Sequence, residues 1–203
     1  MGFYATCILP HLLDLAMRQE VLAPYRRQAV AEAAGAVLEI GVGSGLNLPL
    51  YGGAARRICA IDPSPELLRM ARKRAAGARL PVRLVCASAE ALPFRAGAFA
   101  TVVSTWTLCT IPDPRKALRE MRRVLMPEGR LVFVEHGLAA QAGVARWQRR
   151  LTPLWKHLAG GCRLDRRIDE LIGAAGFRIG AIETGYIAGP KLMTFLYRGW
   201  ARA

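Results

Sequence analysis

The chain has 203 residues, is 53% hydrophobic, and carries 29 Lys and Arg against 15 Asp and Glu. This length and composition favour one folded domain and exclude intrinsic disorder. No apolar run approaches the roughly 20 residues of a membrane span, and the first 17 residues lack the basic start of a signal peptide, so we expect a cytoplasmic protein. The net charge of +14 predicts attraction to nucleic acid or to an anionic membrane.

Residues 2–34 precede the first predicted strand and have a helical apolar pattern, which Pro24 interrupts before a second short helix. The sheet does not need these helices. They therefore either form a lid over its carboxyl edge or pack on its outer face. The apolar positions of the first helix are Phe3, Tyr4, Ile8, Leu12, Leu15 and Ala16, with His11, Asp14 and Arg18 off that stripe.

Five short apolar runs then alternate with helical segments. Ser64 and Pro65 are placed to begin one helix, and Asp113 and Pro114 to begin another. This alternation predicts an α/β fold, a doubly wound and mostly parallel sheet with helices on both faces. The predicted strands are 36–40, 58–61, 82–86, 101–104 and 131–135.

The C-terminal part begins with basic and apolar residues at helical spacing from Val144 onward, including Trp147 and Trp155. Such a helix is typical of a membrane-surface element, and it equally suits packing against the core. A helix over 169–175 is expected to end at Gly176.

Two further runs, 179–183 and 192–198, predict an antiparallel strand pair that completes a Rossmann-like sheet of seven strands. We expect a single domain, with 1–34 as lid or membrane contact, 35–135 as cofactor core and 136–203 on the acceptor side.

The strongest motif is the strand end and glycine-rich turn at 37–47, where Glu39 precedes Gly41, Gly43 and Gly45. Glycines let the backbone turn sharply and approach a ligand closely. The dinucleotide fingerprint and the P-loop both fail here, because Leu46 occupies the third fingerprint position and no Gly-Lys-Ser/Thr is present. An acid at this turn suits a cationic amino-acid head group.

Three later strand ends add candidate ligands. Asp62, followed by Pro63 and Ser64, lies about 20 residues past the turn, which is the spacing of a carboxylate that binds a ribose diol. Ser88, Ala89 and Glu90 follow the third strand and are placed to reach an adenine amine. Ser104 and Thr105 end the fourth strand.

These motifs, in this order, resemble the class I S-adenosylmethionine-dependent methyltransferases of the ubiquinone and menaquinone branch, over about 27–135. The resemblance implies S-adenosylmethionine as cofactor and S-adenosylhomocysteine as product. It would place Glu39 and the three glycines around the methionine part, Asp62 at the ribose, 88–90 at the adenine, and Ser104 with Thr105 on the methyl side. Asn47, Pro63 and Ser64 complete the predicted cofactor set. The family often has Asp where Ser88 and Ala100 stand here.

The C-terminal part, with Glu135-His136-Gly137, Arg146-Trp147-Gln148 and Gly160-Gly161-Cys162, resembles two groups. These are the small bacterial phospholipid N-methyltransferases and the animal thiol S-methyltransferases. We therefore expect methylation of phosphatidylethanolamine towards phosphatidylcholine by an enzyme peripherally bound to the inner membrane face. A small apolar thiol is the alternative acceptor. A nucleic-acid methyltransferase is a third and weaker hypothesis, since no N-P-P-Y-type turn follows the fourth strand.

Methyl transfer requires positioned reactants and, for an amine or thiol acceptor, removal of a proton. His136 is the predicted base, with a surface loop histidine as the alternative, and Tyr4 the predicted acceptor contact. Trp106 and Tyr186 offer aromatic faces to a cation. The cysteines 7, 59, 86, 109 and 162 show no paired spacing, so the sequence predicts neither a disulfide framework nor a metal site.

Overall fold

The computed structural model describes residues 4–203. Thirteen helices and strands build the fold, and shorter helical turns lie at Tyr4–Ile8, Glu20–Leu22 and Leu48–Leu50. The helices are α1 (Leu9–Met17), α2 (Ala23–Ala31), α3 (Pro65–Ala75), α4 (Pro114–Val124), α5 (Ala142–Leu158) and α6 (Ile168–Ala174). The strands are β1 (Gly35–Ile40), β2 (Ala55–Asp62), β3 (Val82–Cys86), β4 (Phe99–Thr105), β5 (Leu125–His136), β6 (Arg178–Tyr186) and β7 (Phe195–Arg202).

The seven strands form one sheet in the order β3-β2-β1-β4-β5-β7-β6. The first five are parallel, and β7 runs antiparallel to both β5 and β6. The order in which strands are added to the sheet reverses between β1 and β4, and ligands bind in open α/β sheets at such a point. The predicted fold class, with its antiparallel C-terminal pair, is confirmed.

Two apolar layers, one on each face, hold the sheet. The side chains of β1 alternate between them, with Leu38 and Ile40 on one face and Val37 on the other. Since both faces are covered by helices or loops, the central strands are buried on both sides. Their sequences are therefore continuous apolar runs.

The predicted helix starts are correct. Ser64 Oγ accepts a hydrogen bond from the Leu67 N–H at 3.2 Å, and Asp113 Oδ1 accepts one from the Lys116 N–H at 3.0 Å. Strand boundaries differ more. β5 begins six residues earlier than predicted, and the last strand covers Phe195–Arg202 instead of 192–198, because neighbouring strands continue the ladder beyond the Val- and Ile-rich runs.

The N-terminal region packs on a sheet face and reaches the carboxyl edge. Pro24 lies in the first turn of α2 and so begins that helix instead of interrupting one. Ala29 and Val30 of α2 join the core on one sheet face, while Arg26 reaches the edge. Packing on the outer face is therefore observed for α2, and a lid over the carboxyl edge stays a prediction.

The first helix buries Asp14 together with Pro10 and leaves several apolar side chains exposed. Asp14 is buried and makes ion pairs with Arg18 and with Arg74 of α3. Ile8, Leu12 and Leu15 are exposed instead. The predicted stripe therefore faces outward over its described part; Phe3 lies outside the described residues.

Helix α5 buries a narrow polar strip. Gln148 accepts the Ala139 N–H at 2.9 Å and donates to the carbonyls of Gly137 and Leu192. The opposite side leaves Trp147, Leu154 and Leu158 exposed. Within residues 4–203, no helix is both long and apolar enough to cross a membrane.

Candidate active site

The glycine-rich turn after β1 uses its three glycines in different ways. All three have positive φ, at 64° for Gly41, 54° for Gly43 and 86° for Gly45. A Cβ on Gly41 would overlap Thr107, and one on Gly45 would lie 2.9 Å from the Ala71 backbone. A Cβ on Gly43 meets nothing closer than 4.0 Å. The turn is therefore packed against the protein at two glycines and open at Gly43.

Asp62 faces the open side of this turn. Its Oδ2 accepts the Gly43 N–H at 2.9 Å, and its Oδ1 accepts the Ser64 N–H at 2.9 Å. Burial raises the pKa of Asp62, and these two backbone donors partly offset that effect. A carboxylate has about four acceptor positions, so each oxygen keeps one for a hydroxyl. Ser64 uses its own hydroxyl to cap α3.

Glu39 is fully buried beneath the turn. Its Oε1 accepts the Asn47 side-chain amide at 2.9 Å, and the same amide donates to Thr105 Oγ1 at 3.0 Å. Among residues 4–203, its Oε2 makes no hydrogen bond of normal geometry, and the buried Tyr51 hydroxyl is the group that interacts with this carboxylate. Burial raises the pKa of Glu39 to about 7, although Asn47, Tyr51 and the nearby Arg26 lower it in part. A buried carboxylate oxygen in this state can accept from a cationic donor.

Arg26 joins the N-terminal region to this site. Its guanidinium donates to Asn47 Oδ1 at 3.1 Å and to the Met17 carbonyl at 3.0 Å, and it lies 4.8 Å from the Trp106 ring centre. Trp106 has φ of 49°, an uncommon backbone conformation for a bulky residue. The cation that lies against the Trp106 ring in this structure is therefore Arg26 of the protein itself.

The adenine-side residues connect two loops. Ser88 Oγ accepts the Glu90 N–H at 3.2 Å, and Glu90 Oε1 accepts the Asp113 N–H at 2.6 Å. Ala89 is buried. These contacts fix the segment after β3 to the start of α4, and its role at an adenine stays a prediction.

Ser104 has a buried partner. Its hydroxyl donates to Glu135 Oε1 at 2.7 Å, and Glu135 also accepts the N–H groups of Thr107 and Leu108. Burial raises the pKa of Glu135 to about 7 despite these donors. The Ser104 side chain therefore holds the loop after β4 through Glu135, a residue that sequence reasoning left without a role. An acid that ends a buried strand, like Glu39, was the available signal.

His136 is the last residue of β5 and is 5% exposed, so a surface loop histidine, the alternative prediction, is wrong. Neither ring nitrogen makes a hydrogen bond of normal geometry with residues 4–203. One nitrogen of the His136 ring and the sulfurs of Cys109 and Cys162 all lie within 4.8 Å of one another. The Cys109 thiol, followed by His136, lowers the pKa of Cys162. Residues so far apart in sequence give no motif that would predict this cluster.

The other predicted acceptor residue has a structural contact. Tyr4 Oη donates to the Leu158 carbonyl at 2.9 Å and so connects the N-terminal segment to α5. Tyr186 donates to Gln141 Oε1 at 3.3 Å, and the Lys191 ammonium lies 6.0 Å from its ring centre.

The turn, Asp62 and Glu39 together fit a cationic, ribose-bearing cofactor. The open space at Gly43, the remaining acceptor positions of Asp62 and the buried Glu39 carboxylate lie at one sheet edge. These are the features that S-adenosylmethionine requires of a protein: an approachable backbone, a diol acceptor and an acceptor for an ammonium group.

Known proteins support this interpretation. The family described as methyltransferase domain matches residues 38–133. The chain is 33% identical to phosphatidylethanolamine N-methyltransferase of Cereibacter sphaeroides over 86% of this chain and 85% of that protein. It is 37% identical to thiol S-methyltransferase TMT1B of Rattus norvegicus over 70% of this chain and 59% of that protein. A SAM-dependent methyltransferase structure from Methanosarcina mazei superposes with a TM-score of 0.68 at 21% identity, covering 86% of this chain and 95% of that one.

The chain therefore has the Rossmann-like fold of known methyltransferases. The chain belongs to the S-adenosylmethionine-dependent methyltransferase family. It spans about three fifths of the length of the thiol S-methyltransferases that it matches.

Proposed function

We propose that this methyltransferase acts at an anionic membrane surface and methylates a lipid amine, phosphatidylethanolamine, towards phosphatidylcholine. The observation that carries the proposal is an outward-facing apolar surface on two helices at the acceptor side. We call this surface the docking face. It consists of Ile8, Leu12, Leu15, Trp147, Leu154 and Leu158.

The docking face is far more exposed than apolar side chains of a folded core. Leu15 is 69% exposed, Leu154 65% and Trp147 54%. The two parts of the docking face meet at the C-terminal end of α5, where Tyr4 donates to the Leu158 carbonyl and Gly160 lies against Leu9 of α1. Exposed apolar groups concentrated in this way favour a membrane or protein contact over solvent.

Basic side chains flank the docking face. Arg146, Arg149, Arg150 and Lys156 are exposed on α5, and the Arg150 guanidinium lies 5.7 Å from the Trp147 ring centre. An amphipathic helix with aromatic and basic residues binds in the plane of an anionic bilayer. Each basic residue near such a surface contributes about 1 kcal/mol.

The relatives support the lipid acceptor. The match to the Cereibacter sphaeroides phosphatidylethanolamine N-methyltransferase extends over 86% of this chain, so it includes sequence beyond the cofactor core. The docking face gives that similarity a physical basis, because a lipid substrate must be taken from the bilayer surface.

In the proposed reaction, the cofactor supplies a methyl group on a sulfonium. The chain binds and orients it: Gly43 offers an open backbone, Asp62 accepts hydroxyl donors, and Glu39 accepts an ammonium. An amine acceptor must lose a proton before transfer. His136 is the predicted base, but its burial beside two sulfurs favours a role as a metal ligand. The contact of Tyr4 favours a positioning role.

The test is transfer of labelled methyl groups to vesicles of phosphatidylethanolamine and phosphatidylglycerol by the L15D/L154D double variant. Burial of each leucine contributes about 1.5 kcal/mol or more, so we expect at least a tenfold loss of vesicle binding and of label in the lipid. Raised salt should weaken vesicle binding of the unchanged protein.

Met126→Asp is the matched control. Met126 is exposed as well, but it lies near the start of β5, whereas His136 is the last residue of that strand at the opposite edge of the sheet. This variant should bind vesicles normally. Salt-independent or absent vesicle binding, or equal losses in both variants, would contradict the proposal.

Thiol S-methylation is the second candidate, favoured by 37% identity to the rat TMT1B enzyme over 145 residues. It predicts label in a small alkyl thiol without any vesicle. The L15D/L154D variant would then keep its full activity towards a soluble thiol.

A further inference from the structure

Three potential metal ligands converge at the carboxyl edge of the sheet. Cys109 lies in the loop after β4, His136 ends β5, and Cys162 follows α5. Their ligand atoms lie within 4.8 Å of one another. Around a tetrahedral zinc ion, bonds of about 2.3 Å to sulfur and about 2.0 Å to nitrogen separate the ligand atoms by roughly 3.5–3.8 Å. Movements of about 1 Å would bring the three groups onto one ion.

The imidazole in this cluster makes no hydrogen bond of normal geometry with residues 4–203, although both of its nitrogens are buried. The group that interacts with it is the Cys162 thiol. Native structures rarely retain a buried polar group in this state without a reason. Coordination would satisfy one nitrogen, and two thiolates would balance the charge of a divalent ion.

The surroundings hold the ligands in place. The Glu135 carboxylate accepts the Leu108 N–H at 3.0 Å, next to Cys109. The Arg163 N–H donates to the Cys109 carbonyl at 2.9 Å, which joins the loop of Cys109 to that of Cys162. The two ligand-bearing loops are therefore fixed to each other and to the end of β5.

A second buried polar group lies beside the cluster. The Trp155 indole N–H is buried and makes no hydrogen bond of normal geometry within residues 4–203, and the group that it interacts with is the Cys162 thiol. An N–H group in this position donates to a metal-bound thiolate, as outer-shell groups do in metal sites.

We propose that Cys109, His136 and Cys162 form a zinc-binding site. Three protein ligands leave a fourth position, and the partial exposure of Cys162 opens the site on that side. Two thiolates and one imidazole form a soft donor set that selects zinc over magnesium or calcium. In this assignment His136 is a ligand and not the proton acceptor.

The experiment measures zinc in the full chain, purified under reducing conditions. Elemental analysis should find about one zinc per chain, and cobalt(II) added to the metal-depleted protein should give thiolate-to-metal charge-transfer absorption. Cys109→Ser, Cys162→Ser and His136→Ala should each weaken zinc binding at least 100-fold. Trp155→Phe should weaken it about tenfold.

Cys86→Ala is the matched control, since Cys86 is exposed on β3 and outside the cluster; it should bind zinc normally. Binding of S-adenosylhomocysteine reports folding in every variant, and Cys162→Ser carries the test if a substitution at the more buried Cys109 unfolds the chain. The proposal is overturned if the reduced, folded protein takes up no zinc, including the case in which Cys109 and Cys162 instead form a disulfide. Equal loss in Cys86→Ala and Cys162→Ser would overturn it too. Neither readout depends on the methyl acceptor.

Discussion

The predicted cofactor side and the predicted acceptor side of this chain differ in how their groups come together. On the cofactor side, Glu39 and Asp62 lie at the carboxyl ends of β1 and β2, and Glu39 bonds to Asn47 only eight residues away. On the acceptor side, groups meet from distant segments, as Tyr4 meets Leu158 and Arg163 meets Cys109. The first kind of site is visible as a motif, whereas the second depends on the completed fold.

The largest loss of stability should come from substitution of Gly41, which is packed against Thr107. Gly41→Ala combines a positive φ with overlap of Thr107. We expect a loss of about 3 kcal/mol in the free energy of unfolding. For a chain of this size, the melting temperature should fall by roughly 10 °C.

Gly43→Ala is the internal comparison for that variant, because its Cβ meets open space. The positive φ should cost only about 1 kcal/mol, but the methyl group projects where the cofactor is proposed to bind. Affinity for S-adenosylhomocysteine, measured by calorimetry, should fall at least tenfold. Equal melting temperatures for the two variants would contradict the division of roles within the turn.

Asp62→Asn tests the second cofactor group. In Asp62 the two oxygens accept the N–H groups of Gly43 and Ser64. The NH2 of an Asn side chain would face one of these N–H groups, and two donors cannot form a hydrogen bond. We expect a loss of about 2–3 kcal/mol, or roughly 100-fold, in S-adenosylhomocysteine affinity. The exposed carboxylate Glu183 provides the control, and Glu183→Gln should leave that affinity unchanged.

The pKa of Glu39 predicts that stability and cofactor affinity both depend on pH. Burial raises it to about 7, so the folded protein alone loses stability as pH rises from about 5 to 7 and Glu39 ionises. A bound ammonium favours the ionised form. Affinity for S-adenosylhomocysteine should therefore rise with pH over that window, by at most about tenfold per unit, and level off above it.

Glu135 is the control for that titration. It has the same raised pKa of about 7 and the same burial, but its oxygens already accept hydrogen bonds from Ser104, Thr107 and Leu108. Glu39→Gln should flatten the pH dependence of binding, and Glu135→Gln should retain it. The reverse pattern would remove Glu39 from the cofactor site.

The smallest effect is expected at the N-terminal contact. Tyr4→Phe removes one partly exposed hydrogen bond to the Leu158 carbonyl. We expect a loss of about 1 kcal/mol or less in the free energy of unfolding and little change in cofactor affinity. A Tyr4→Phe variant that binds cofactor normally but transfers no methyl group would instead restore the predicted catalytic role.

The sequence predicted the sheet well because its signals are local. Strand runs, the Ser64 and Asp113 caps and the glycine turn each depend on neighbours within a few residues. Strand length was less predictable. The 12 residues of β5 include Pro127 and Gly129, which weaken a strand signal and lie where the register of β5 against β4 shifts.

The acceptor side was less predictable because its signals are ambiguous or dispersed. The apolar stripe of α1 fits a core as well as a membrane, and the buried ion pair of Asp14 with Arg74 decides its orientation. The residues Cys109, His136 and Cys162 are separated by more than 20 residues each, so no spacing rule would detect them.

The most direct test of the account is a competition between acceptors. The enzyme receives labelled S-adenosylmethionine together with phosphatidylethanolamine–phosphatidylglycerol vesicles and a small alkyl thiol, and the label is then measured in each product. A membrane-surface lipid methyltransferase predicts label in the lipid, lost in the L15D/L154D variant and retained in Met126→Asp. Label in the thiol alone, with no dependence on vesicles or on the docking face, would contradict it.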